Sequence, residues 1–100
     1  MNLSNAQIKR LRAVSHQLKP VVAIGQNGLS EAVQNEIKTA IEHHELIKIR
    51  LPAADKAVKK QMIEIICSRH NAQPVQSIGN VVVIYRYNAK TNRFGNINNP

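Results

Sequence analysis

Residues 20–31 read Pro20-Val21-Val22-Ala23-Ile24-Gly25-Gln26-Asn27-Gly28-Leu29-Ser30-Glu31, and this stretch decides the fold. Pro20 stops whatever helix precedes it. Val21–Ile24 is a short apolar run, read as a strand buried on both faces. The Gly25-Gln26-Asn27-Gly28 turn follows directly. Ser30 is a good N-cap, and Glu31 stands in the first turn, where the helix dipole favours an acid. Strand, glycine turn and helix in twelve residues announce a β–α unit.

Upstream, Ser4 and Gln7 form a capping-box pair, with Leu3 placed to staple onto Ile8. Ile8, Leu11, Val14 or Ser15, and Leu18 then keep helical spacing, which predicts a helix from about Ser4 to Gln17. Downstream, Val33, Ile37, Ala40, Ile41 and His44 mark the inward stripe of a second helix. Leu46–Leu51 alternates Ile47, Ile49 and Leu51 with Lys48 and Arg50, a half-buried strand with a basic outer face. Asp55 caps a third helix over 55–70, with Val58, Met62, Ile65 or Ile66, and Arg69 as its buried stripe and Lys56, Lys59 and Lys60 outward. Asn71 suits a left-handed C-cap. Residues 74–78 and 81–87 are two strands joined by a turn at Gly79-Asn80.

The order is therefore α-β-α-β-α-β-β: an α/β (α+β mixed) single domain with three helices on a mixed four-stranded sheet. Residues 1–88 are expected to form the domain. Residues 89–100, rich in Asn and poor in apolar side chains, are expected to be an extended or flexible tail.

With 100 residues and one cysteine, Cys67, the chain has one core and no internal disulfide. A reducing, cytoplasmic setting is expected. No apolar run approaches the roughly 20 residues of a membrane span, so no membrane partner is expected. A net charge of +8 is unevenly distributed. Residues 1–24 carry Lys9, Arg10, Arg12 and Lys19 without an acid. Residues 25–45 hold Glu31, Glu36, Glu42 and Glu45 against Lys38 alone, and the balance from Leu46 onward is basic. A segregated basic surface attracts polyanions by steering and counterion release.

Gly25–Gly28 is the sharpest local feature. Backbone N–H groups at a helix start lack intrahelical partners, and glycine removes the Cβ that would keep a phosphate away. The turn lacks the spacing and the Lys-Ser/Thr of a nucleotide-triphosphate loop. Lys9, Arg12 and His16 share a face of the first helix, and with Lys19, Lys48 and Arg50 they supply delocalised charge for phosphates. His43 and His44 point about 100° apart on a helix and lack companions for a metal site. Cys67 reads as core. No acid–base or nucleophile set is present, so neither an enzyme nor a cofactor is expected.

Three blocks together resemble a known family. His16-Gln17-Leu18-Lys19-Pro20-Val21-Val22 with Ile24–Ser30, then His43-His44-Glu45-Leu46-Ile47-Lys48, then Val75–Gly79 with Val83–Arg86, are similar to the CRM domain (chloroplast RNA splicing and ribosome maturation) in its bacterial stand-alone YhbY type. The resemblance implies a fold similar to the C-terminal domain of translation initiation factor three. It also implies RNA binding and association with large-subunit ribosomal RNA in pre-ribosomal particles. The family's RNA-contacting GxxG falls on Gly25, Gln26, Asn27 and Gly28, and its basic positions on Lys48 and Arg86. Two departures stand out: Gln26 and Asn27 are uncharged where many members place Lys, and Asn71 replaces a Gly. A monomer is expected. The rival reading is a protein-interaction adaptor docking on ribosomal proteins or assembly factors through Glu31 and Glu42.

Overall fold

The computed structural model describes residues 3–94, arranged as α1 (Asn5–Ser15), β1 (Val22–Ala23), α2 (Glu31–His44), β2 (Leu46–Arg50), α3 (Lys56–His70), β3 (Gln73–Ile78) and β4 (Val81–Tyr85). The strands form one sheet in the order β1-β2-β4-β3; β1 runs parallel to β2, and β4 is antiparallel to both β2 and β3. This is the mixed sheet with three helices that the element order predicts.

The caps act as the sequence implies. Ser4 and Gln7 bond reciprocally in a capping box, Ser30 Oγ accepts from Val33 N at 3.2 Å, and Asp55 Oδ1 accepts from Val58 N at 2.9 Å. Each such cap contributes on the order of 1 kcal/mol. Asn71 closes α3 in the left-handed conformation (φ 53°).

The sheet has two unequal faces. Under α2 and α3 lies the main core, where Ile37, Ile41 and Ile66 meet Ile47, Ile49, Val82 and Ile84. On the opposite face α1 covers a smaller cluster: Leu11 on Leu46, Val75, Val83 and Tyr85, with Leu3, Ile8 and Leu18 at its margin. Pro74 is tolerated because β3 is an edge strand. The register shifts between Pro74 and Gln76, and the Val75 carbonyl there accepts Arg12 Nε at 3.2 Å.

Four expectations need correction. First, β1 is not buried on both faces. It is a two-residue edge strand, Val22–Ala23, and across residues 21–24 Val22 and Ile24 are buried while Val21 and Ala23 are exposed, because α1 does not reach over its outer side. Second, the α3 stripe keeps its expected Met62 and Ile66 but not its other members. Val58 and Ile65 are exposed and Arg69 points out, while Met62, Ile63, Ile66, Cys67 and His70 face inward; consecutive isoleucines let two stripes fit one helical period.

Third, His44 is exposed and Glu45 is buried, since the chain leaves α2 through a positive φ of 63° at Glu45 that turns its side chain inward. Fourth, β4 ends at Tyr85, and residues 89–94 do not continue as an extended tail. They fold back in turns, with Asn88 Nδ2 on the Glu42 carbonyl at 2.9 Å and Phe94 edge-on to Tyr85. The remainder of the expected tail, 95–100, lies outside the described residues.

Candidate nucleic-acid interface

Because α1 covers only one end of its sheet face, the other end is open. Strand alternation puts Lys48 and Arg50 of β2 on this face, beside Val81 and Val83 of β4 and Gln76 and Ile78 of β3. Together with His16, Leu18, Lys19 and Pro20 from the α1–β1 link, they line a hollow of about 380 Å³. Ile78 is 67% exposed at its rim. No Phe, Tyr or Trp lines it; His16 is its one aromatic ring.

The glycine turn leaves the sheet beside this hollow. Ile24 N donates to the Arg50 carbonyl at 2.8 Å, and the next four residues form a tight turn in which Gly28 N donates to the Gly25 carbonyl at 3.1 Å. Its two glycines differ. Gly28 has φ +65°, so the backbone itself favours glycine there. Gly25 has no positive φ, and a Cβ built on it meets nothing within 4 Å. The fold makes no demand for glycine at position 25, and the space above both glycines is open.

The helix end behind the turn carries an acid, which by itself would repel an anion. Arg69 neutralises it: Nη1 and Nη2 donate to Glu31 Oε1 and Oε2 at 3.0 and 2.8 Å. The hydrogen bonds and charge of Arg69 hold the Glu31 carboxyl below its usual range. The pair is exposed (44% and 77%), so its role is electrostatic rather than stabilising.

The basic residues expected to act together do not all do so. Lys19, Lys48 and Arg50 converge on the hollow, with His16. Lys9 and Arg12 lie outside it on α1, where Arg12 also pins the helix to β3. Arg86 is elsewhere: its Nη1 donates to the His70 carbonyl at 3.1 Å and its Nη2 lies 3.8 Å from Glu42, tying together the ends of α2 and α3. Sequence reasoning missed Gln76 and Ile78, although the alternation of β3 was available as a signal. It also missed a second groove of lysines, Lys56, Lys59 and Lys60 between α3 and β3, where Lys59 Nζ holds the hairpin turn through Gly79 O and Asn80 Oδ1, both at 3.1 Å.

The other reactive groups are structural. Burial pushes the Cys67 thiol up to about 11, leaving it protonated and a poor nucleophile near neutrality. His70 packs inside with Nε2 2.7 Å from Gln34 Oε1. Burial, then the charges of Arg69, Arg86 and Lys38, hold its pKa below the usual value, so the imidazole is neutral and donates to the amide. Among the described residues no group of His, Cys, Asp and Glu could hold a metal ion, and no helix is long and apolar enough to cross a membrane.

The family model of the CRS1/YhbY (CRM) domain matches residues 3–86, from the first described residue to just beyond β4. The chain belongs to the CRM domain family. An RNA-binding protein of Haemophilus influenzae is 44% identical over 84 residues, covering 84% of this chain and 85% of that one. The Pseudomonas aeruginosa "Probable RNA-binding protein PA4753" is 37% identical over 93 residues, covering 93% of this CRM domain chain and 89% of its relative. Among solved structures, Staphylococcus aureus SAV1595, presented with its solution structure as a candidate RNA binder, superposes with a TM-score of 0.77 at 31% identity. That match covers 87% of this chain and 91% of SAV1595.

Proposed function

We propose that this CRM domain is an RNA-binding protein that associates with large-subunit ribosomal RNA and assists ribosome assembly as a cytoplasmic monomer. The observation that carries the RNA reading is the juxtaposition at one end of the sheet. Lys19, Lys48 and Arg50 line an open hollow, and the Gly25–Gly28 turn leaves the strand beside Arg50 with clear space over Gly25. The cations would neutralise phosphates while the turn lets RNA backbone approach the N-terminus of α2. With uncharged Gln26 and Asn27, attraction at the turn comes from backbone donors and from Arg50. A hollow whose one aromatic ring is His16, without Phe, Tyr or Trp, favours recognition by shape over base stacking. The ribosomal target is supported by the family resemblance; the RNA-binding names of the relatives agree with its coarser part.

The adaptor alternative loses ground because its two acids already face cations, Glu31 to Arg69 and Glu42 to Arg86. Fluorescence anisotropy with large-subunit RNA fragments and matched duplex DNA, across a salt series, tests the proposal. RNA should bind more tightly, with log affinity falling about 0.7 per neutralised phosphate for each unit of log salt. Equal or absent binding of both ligands, together with nuclease-resistant capture of ribosomal proteins, would favour the adaptor. Gly28→Asp should fold, since Asp tolerates left-handed backbone, yet bind RNA much more weakly.

A further inference from the structure

The family match ends at residue 86, but the described chain continues as a folded element. The reason lies in Glu45. Its side chain is fully buried where α2 ends, at the negative end of the helix dipole, a costly place for a carboxylate without donors. Residues 88–94 supply them to one of its two oxygens: Glu45 Oε2 accepts Thr91 Oγ1 at 2.5 Å and Arg93 N at 2.7 Å, while Oε1 is buried without a hydrogen-bond partner among the described residues. Arg93 Nε donates to the His43 carbonyl, and Phe94 meets Tyr85 with ring centroids 5.9 Å apart. The segment is clasped at both ends.

This clasp places Arg93 and Phe94 on a second hollow of about 400 Å³, beside Val14, Val21 and His44. Leu18, Lys19 and Lys48 line both this hollow and the one holding Arg50. The two hollows therefore flank a shared pair of cations, and Arg93 continues the row that begins at Arg50. A guanidinium has five N–H donors, so the bond to His43 leaves capacity for a phosphate.

We infer that residues 88–94 are a built extension of the RNA surface, in which the Glu45 clasp presents Arg93 to a further stretch of RNA backbone. This rests on the RNA-binding reading above. Holding the arginine in place beforehand removes an ordering cost that a free tail would meet on binding.

The test is anisotropy on the full chain with the same large-subunit RNA fragments, for Arg93→Ala, Thr91→Val, their double variant and Lys48→Ala. Arg93→Ala keeps the backbone N–H on Glu45, so the clasp survives. It should lose roughly threefold or more in affinity and about 0.7 in salt slope. Thr91→Val, which keeps the charge but loosens the clasp, should weaken binding less, and the double variant should lose no more than Arg93→Ala alone. Wild-type binding by Arg93→Ala while Lys48→Ala is weakened would overturn the extension and leave the RNA reading standing. Wild-type binding by both would overturn both. If Thr91→Val unfolds, Arg93→Ala still decides.

Discussion

Ile47 and Ile49 of β2 lie under α2 and α3 with 1% and 0% of their surface exposed, while Lys48 and Arg50, each one residue away, line an open hollow on the other face. Both faces belong to the same five-residue strand, and both are backed by β4. What differs is the cover. Two helices close the first face; on the second, α1 stops short and Pro20 turns the chain into β1. The uncovered half carries apolar Ile78, Val81 and Val83, surface that unscreened would invite aggregation. Lys19, Lys48 and Arg50 put positive charge among them and make it attractive to a polyanion. Stability and the proposed function are thus written on alternate residues.

The comparison breaks most visibly at Ile49. Replacing it with Ala should cost about 2–5 kcal/mol and lower Tm by roughly 10 °C or more, measured by thermal denaturation. An Ile49→Ala protein as stable as the wild type would mean the α2/α3 face is not the core that holds the sheet. The same experiment on Lys48→Ala/Arg50→Ala should show stability within about 0.5 kcal/mol of wild type. Its RNA affinity should fall several-fold, with the salt slope reduced by about 1.4 for two lost phosphate contacts. Loss of fold without loss of affinity in that variant would reverse the assignment of the two faces.

A smaller effect separates the two glycines. Gly28→Ala should be destabilised by about 1 kcal/mol through its left-handed backbone. Gly25→Ala should be as stable as wild type or gain about 0.5 kcal/mol by restricting the unfolded chain, yet bind RNA less well because the new Cβ occupies the approach. Undiminished binding by a well-folded Gly25→Ala would show that nothing approaches there.

Much of this was legible in the sequence. Ser4, Ser30, Asp55 and Asn71 mark helix ends through local hydrogen bonding, which needs no knowledge of the rest of the fold. The alternation over Leu46–Leu51 predicts which residues of β2 face which way. What a one-dimensional pattern cannot hold is the extent of cover. Val21 belongs to an apolar run but is exposed because α1 ends before reaching it. Val58 and Ile65 fit a helical stripe but fall on its solvent side. Arg86 sits in a family motif yet is engaged by His70 and Glu42. Glu45 reads as one more acid of the acidic stretch 25–45, whereas a single positive φ buries it and recruits residues from 46 and 48 positions away.

The smallest effect concerns His70, inside the α2/α3 face. Its folded pKa lies below the unfolded value of 6.5, so the unfolded chain takes up a proton that the folded one refuses. His70 therefore favours folding above pH 6.5, and that contribution is lost as pH falls below 6.5 toward the depressed folded value. Thermal denaturation from pH 7.5 to 5 should show Tm falling on the acid side, and His70→Gln should flatten that dependence. A slope unchanged by His70→Gln would place its origin elsewhere.

The most direct test of the central claim is amide chemical-shift mapping of the labelled protein titrated with a large-subunit RNA fragment. Shifts should concentrate at Gly25–Gly28 and at Lys19, Lys48, Arg50, Gln76 and Ile78, leaving the outer faces of α2 and α3 unmoved. Shifts centred instead on Glu36, Gln61 and Glu64, with the open half of the sheet silent, would contradict it.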